Sequence, residues 1–202
     1  MNIATLAILA VLAFWMLGAH KRLKRLRART HHGYGPLASH LRQRHAVAMA
    51  LAEAARPLLS GDLQPLAAQV IDAARQAGRA TDEAQARGMR GNALQTVGSA
   101  EESLGTLLDA LVSELQDLTS GLGPEPAITE LLRQRDTLQE QIHVSRLLYN
   151  REAERYNHAL HVFPTTLVAL AWRFKEAPLL SGQTSLRLKG PSGPSSAPMP
   201  LL

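Results

Sequence analysis

The sequence predicts an all-α protein in which an N-terminal transmembrane helix is followed by an antiparallel helical bundle of about four long helices. Three observations support this prediction. Residues 3–19 are seventeen consecutive uncharged, mostly apolar positions. The middle of the chain is rich in Ala, Leu, Gln, Glu and Arg, which are good helix formers. Three Phe, three Tyr and few β-branched residues leave little material for strands.

We interpret the apolar leader, residues 1–20, as an anchor that stays in the membrane. At ~1.5 Å per residue, its apolar part reaches roughly 25 Å, near the short end of what a hydrocarbon core requires. No Lys or Arg precedes Ile3, and the positive charges follow the apolar stretch. A cleaved signal peptide has the opposite order. A signal peptide and a buried helix of a soluble protein are the alternatives.

Directly after the leader comes a dense cluster of positive charges, here named the basic collar. Cationic flanks stay on the cytoplasmic side of a membrane. We therefore expect a single-pass protein of the cell (inner) membrane, with its N-terminus outside and its helical domain in the cytoplasm. The same charges are suited to anionic headgroups. The collar consists of Lys21, Arg22, Lys24, Arg25, Arg27 and Arg29.

Beyond the collar the chain is not basic. No Asp or Glu occurs before Glu53, and residues 1–52 hold eight of the 22 Lys and Arg. Residues 53–202 therefore carry 14 positive and 17 negative charges, a net of −3. A nucleic-acid-binding domain normally presents a basic face, so no nucleic-acid partner is expected. Cysteine is absent, which leaves no disulfide, thiol nucleophile or Cys-ligated metal.

Glycine and proline divide the middle of the chain into helices. After a basic joint at residues 21–38, a first helix is predicted from Leu41 to Leu59, and Gly61 ends it. Pro65 suits the first turn of the second helix. Three glycines make residues 80–98 either a frayed helix or a bent connection. A third helix starts at Ser99, and a break follows at residues 121–126. Its apolar stripe is Leu104, Leu107, Leu108, Leu111, Val112, Leu115 and Leu118.

The last long helix is predicted from about Ala127 to Val162, where Pro164 stops it. Apolar or aromatic residues recur every seven positions along it, which predicts a coiled-coil-like seam packed at a shallow angle against neighbouring helices. A short, very apolar segment follows at residues 165–174. Residues 179–202 are rich in Gly, Pro and Ser and are predicted to be a disordered tail. The seam residues are Ile142, Tyr149, Tyr156 and Phe163.

The end of this helix resembles the C-terminal signature of the LemA family: an Arg, then Tyr-Asn, five residues, Tyr-Asn again, and Phe-Pro shortly after. The segment LRQRH at residues 41–45 is a second, weaker match. The resemblance implies a bacterial single-pass membrane protein with an antiparallel helical bundle, placed here at residues 39–178. It implies no reaction, because the family's molecular function is not established. The matching positions are Arg146, Tyr149, Asn150, Tyr156, Asn157, Phe163 and Pro164.

One departure from the family pattern affects the predicted architecture. Where the family has an unbroken first helix, this chain has Gly33-Tyr34-Gly35-Pro36. Glycine and proline are both unfavourable in a helix interior. We therefore predict a flexible joint between the anchor and the bundle.

The repeated Tyr-Asn pair has a physical interpretation that does not depend on the family. A buried tyrosine hydroxyl needs a hydrogen-bond partner. The next Asn lies about 100° further around the helix, where its amide is placed to bond a neighbouring helix or a backbone carbonyl. The pair is expected to set packing and register; the alternative is a docking groove for a partner helix.

No catalytic, cofactor or metal site is predicted. Glu140 and His143 have the spacing of a bundle metal motif, but a di-iron site needs a second such pair, which the sequence lacks. Glu154, His158 and His161 share a face and are interpreted as a solvated polar surface. Residues 33–38 fit a loose dinucleotide pattern but follow a basic helix instead of a strand. We therefore expect no enzyme and no cofactor.

The function predicted from these features is a membrane-anchored scaffold or adaptor that presents helix surfaces to protein partners at the inner membrane. The partner is expected to be another protein, and self-association is the other possibility. The alternative is an anionic-lipid-binding or membrane-shaping protein that uses the collar and the segment around Trp172. That segment is expected either to cap the bundle core or to contact the bilayer interface.

Overall fold

The computed structural model describes residues 2–88, 92–119 and 125–180, and these form helices joined by short connections, without a strand. The all-α prediction is confirmed. A short 3-10 turn at Gly61–Leu63 precedes the second helix. The helices are α1 (Ile3–Ala55), α2 (Gln64–Ala86), α3 (Ala93–Thr119), α4 (Pro126–His161) and α5 (Thr165–Ala171).

Helix α1 runs without interruption for 53 residues, so the predicted flexible joint at Gly33–Pro36 is wrong. The separate helix start at Leu41 is wrong for the same reason. Pro36 lacks the N–H that would bond the carbonyl of His32, which costs the helix one hydrogen bond. Tyr34 on one side of Pro36 and Leu37 on the other are almost fully buried. Packing of this segment in the core therefore outweighs its poor helix propensity.

Helices α1 and α4 pack antiparallel along most of the bundle. The Thr30 hydroxyl donates to the carbonyl oxygen of Glu152 at 3.1 Å, and further along α1 the ring Nδ1 of His40 lies 2.9 Å from the Ser145 hydroxyl. Residue numbers thus rise along α1 as they fall along α4. Since α1 is also the helix of the leader, one element connects the apolar N-terminus directly to the core.

Helix α2 runs antiparallel to α1, and the interface between them is built mainly from alanine. Small side chains at an interface allow two helix backbones to approach closely. Pro65 lies in the first turn of α2, as predicted. Fully buried alanines of these two helices include Ala48, Ala52, Ala55, Ala67, Ala74, Ala77 and Ala84.

Helix α3 begins at Ala93 instead of Ser99, because Leu94 and Val97 extend its buried stripe toward the N-terminus. Most of the predicted leucine stripe is buried, whereas Leu107 is partly exposed and Leu118 is exposed. The predicted break before α4 lies mainly outside the described residues, and α4 itself begins at Pro126.

The seven-residue seam of α4 is buried at Ile142, Tyr149 and Tyr156 but not at Phe163, which is 77% exposed. The prediction for Phe163 is wrong because α4 ends at His161 and the chain turns before α5. Phe163 therefore does not continue the helical face of the other three residues.

After α5 the chain becomes extended and returns along α4 as far as Leu180. We name residues 175–180 the strap. Leu179 and Leu180, which the sequence analysis assigned to the tail, belong to it. The rest of the predicted disordered tail lies outside the described residues.

Candidate functional site

The two Tyr-Asn pairs of α4 hold the strap through its backbone. The Tyr149 hydroxyl donates to the carbonyl oxygen of Pro178 at 2.9 Å. One heptad later, the Tyr156 hydroxyl donates to the carbonyl oxygen of Lys175, also at 2.9 Å. Each tyrosine thus buries its ring in the bundle and finds its partner at the edge of the helix.

Each asparagine amide makes a pair of hydrogen bonds with a single strap residue. Asn157 donates from Nδ2 to the carbonyl oxygen of Ala177 and accepts from the Ala177 N–H, both at 2.8 Å. Asn150 makes the same pair with Leu180, both at 3.0 Å. The side chain therefore acts on the strap as a neighbouring strand would, which satisfies backbone groups that have no sheet partner. We name Tyr149, Asn150, Tyr156 and Asn157 the ladder.

The seven-residue spacing of the ladder matches the rise of an extended chain. Seven helical residues advance ~10.5 Å, at 1.5 Å each. The bonded strap residues are three apart in each set, and three extended residues advance about 10 Å. The two repeats therefore stay in phase along the strap. The amides were expected to bond either a neighbouring helix or a backbone carbonyl. In the structure their partners are backbone groups of the strap.

Burial changes the titration of the ladder tyrosines. Burial raises the pKa of both Tyr149 and Tyr156, so their hydroxyls stay protonated donors. Tyr34 packs edge-on against Tyr149 with ring centroids 5.9 Å apart. Burial, aided by the charge of Glu101, raises the pKa of Tyr34 to about 12. The Tyr34 hydroxyl is buried and has no hydrogen-bond partner in the described part of the chain.

A charged cluster that the sequence analysis missed lies inside the bundle. Glu101 of α3 accepts a hydrogen bond from Nη1 of Arg44 at 2.5 Å and contacts Nε2 of His45. All three side chains are largely buried. Arg146, the first residue of the family motif, is near enough that desolvation and the charge of Arg44 lower its pKa, while Glu101 opposes this. Glu101 is 57 residues from Arg44 in the sequence, so no local sequence pattern marks this cluster.

The six collar residues lie exposed on the first turns of α1 beyond the apolar stretch. Phe163 is exposed, and Pro164 is half-buried where α4 turns into α5. The collar segment, the lower half of the ladder and α5 lie close together, because Leu23, Tyr156 and Val168 share one buried cluster. Across the described ranges, no cluster of three or more His, Asp or Glu is placed to hold a metal ion.

Helix α1 is long and apolar enough to cross a bilayer by its length and composition. Its most apolar 18-residue window has a mean hydropathy of 2.0 and is almost wholly exposed. A core helix of a soluble protein would instead be buried, whereas a signal sequence would pass the same test. The fold and the ladder define an all-helical bundle protein with an apolar N-terminal helix and a strapped C-terminal helix.

The chain belongs to the LemA family, whose model matches residues 36–189. This range contains the whole ladder, the α4–α5 turn and the strap. The comparisons with curated proteins and with solved structures each found no match.

Proposed function

We propose that this LemA-type protein is a non-catalytic, membrane-anchored scaffold that presents helix surfaces to protein partners at the inner membrane. The observation that carries the proposal is the continuity of α1. Its apolar N-terminal residues are exposed as far as Gly18, and from Ala19 onward the same helix is packed into the bundle. At 1.5 Å per residue, the 53 residues of uninterrupted helix extend about 80 Å.

The collar supports an orientation with the N-terminus outside and the bundle in the cytoplasm. Its six cations follow the apolar stretch directly and are all exposed. Because the chain has no cysteine, a single introduced cysteine reports one position without background. We expect a membrane-impermeant thiol reagent to label Asn2→Cys in intact spheroplasts and to label Leu58→Cys only after lysis. The reverse pattern would contradict the orientation.

An apolar ridge on the outer side of α4 supports a protein partner. Val144, Leu147 and Leu148 are each more than half exposed within about one turn. A contiguous apolar patch on a soluble surface commonly marks an interaction site. The ridge faces away from the buried seam, so a partner helix can reach it without opening the bundle.

Photo-crosslinking in cells tests this ridge. A photoreactive residue at Leu148 is expected to give discrete protein adducts, whereas the same residue at Ser113, an exposed position on α3, gives none or different ones. Recovery of only lipid and copies of the same chain at Leu148 would contradict the scaffold. That result would favour the alternative function, anionic-lipid binding through the collar and the Trp172 segment, which the exposure of the collar supports.

A further inference from the structure

Helix α5 presents apolar side chains on its outer surface as well as on its inner one. Its inner side chains, Val168 and Ala169, are buried. A surface helix normally turns polar residues outward. Here the outward residues of α5 and its flanking turns are large and apolar: Phe163 is 77% exposed, Leu167 58%, Leu170 78% and Trp172 48%. We name these four residues the corner.

The corner lies at the end of the bundle nearest the apolar leader. Val168 and Ala169 pack in a small cluster with Ala19 and Leu23, the first buried residues of α1. The Trp172 ring stacks at a tilt on His20, with centroids 5.3 Å apart. All described residues of α1 before Ala19 are exposed. Helix α5 is therefore seated against the turn of α1 where the apolar span ends.

Charge around the corner favours a lipid surface over a protein or a second copy. On α1, the exposed collar follows Ala19. After α5, two more exposed cations follow Trp172, namely Arg173 and Lys175. Apolar and aromatic side chains surrounded by cations are suited to the boundary between headgroups and acyl chains. The apolar surface is continuous with the span, so a bilayer that receives the span also reaches the corner.

We propose that the corner is a second membrane contact, in which Phe163, Leu167, Leu170 and Trp172 enter the headgroup–acyl boundary of the leaflet that the collar faces. This inference rests on the proposed anchoring by α1. A helix in a membrane is otherwise free to tilt and rotate. Two membrane contacts, one through α1 and one through the corner, fix the rotation of the bundle about the axis of α1.

Three single-cysteine variants of the full chain test the proposal. The chain has no native cysteine, and the replaced side chains are exposed. Leu170→Cys reports the corner, Ile8→Cys reports the span, and Leu58→Cys reports an exposed leucine at the opposite end of the bundle. Each is labelled with an environment-sensitive fluorophore and reconstituted in vesicles of phosphatidylcholine and phosphatidylglycerol that contain brominated acyl chains. Quenching by bromine requires that the probe reaches the acyl region.

We expect strong quenching at position 8, about half as much or more at position 170, and almost none at position 58. A blue-shifted emission at position 170 accompanies the quenching. Quenching at position 8 without quenching at position 170 would overturn the corner contact and leave the anchor intact. No quenching at position 8 would overturn the anchor and the inference together. Equal quenching at positions 58 and 170 would show a bundle lying flat and would also overturn the corner.

Discussion

Replacing Asn157 with leucine is the sharpest test of the ladder. Leucine has a similar size but neither donor nor acceptor, so it removes both hydrogen bonds to Ala177. Asn157 is only partly buried. The released backbone groups of the strap can therefore reach water, and the expected effect is local opening of the strap with little loss of global stability.

The size of the effect follows from the number of bonds removed. Each hydrogen bond contributes a net of about 0.5–1.5 kcal/mol, so the pair contributes ~1–3 kcal/mol to strap docking. This range corresponds to an opening equilibrium that is roughly 5- to 150-fold larger. Amide hydrogen exchange at Ala177 in the full chain, reconstituted in lipid nanodiscs, measures this factor directly.

Asn150→Leu is the matched control, because it removes the same pair of bonds one repeat away at Leu180. It should release Leu180 and leave Ala177 protected, since Asn157 and Tyr156 still hold the part of the strap nearer to α5. Unchanged exchange at Ala177 in Asn157→Leu would refute the assignment of the ladder as the element that holds the strap. Global unfolding in either variant would refute the local character of the effect.

Three further substitutions test the interior of the bundle, with the free energy of unfolding measured by urea denaturation. Tyr34→Phe should stabilise the fold by about 1 kcal/mol, because it removes a buried hydroxyl that has no partner in the described part of the chain. The unchanged chain should lose stability as pH rises from 10 to about 12, because the unfolded chain loses the Tyr34 proton there and the folded chain keeps it. Tyr34→Phe should make this loss smaller. Pro36→Ala restores one helical hydrogen bond at an exposed position and should stabilise the fold by ~1–3 kcal/mol; no change would show that this segment is not helical in solution. Glu101→Gln leaves the buried Arg44 without its counter-ion and should destabilise the fold by about 3–5 kcal/mol. A loss below ~1 kcal/mol, the size expected for a solvent-exposed pair, would contradict a structural role for this pair.

Much of the helical architecture was predictable because it depends on local properties. The buried period of α4 at Ile142, Tyr149 and Tyr156 and the proline in the first turn of α2 are readable from spacing alone. The family motif was also readable, because its residues lie within one helix and the turn after it. The end of α4 was predicted within one residue.

The errors occurred where distant contacts outweigh local preference. Local propensity placed a joint at Gly33–Pro36, but burial of Tyr34 and Leu37 keeps α1 continuous there. Extending the heptad to Phe163 failed because periodicity holds only while the helix continues. The Arg44–Glu101 pair was missed because its members are 57 residues apart in sequence.

By itself the sequence determined that this chain is helical, that its first helix is apolar enough to cross a bilayer, and that Tyr149 and Tyr156 of α4 are buried, because propensity and periodicity act over a few turns. Only the tertiary structure decided that α1 is one rod, that the asparagines hold the strap, and that the corner faces outward beside the span. Each of these depends on which surfaces meet, and the free energy of burial and hydrogen bonding is set by a partner that lies at any distance along the chain.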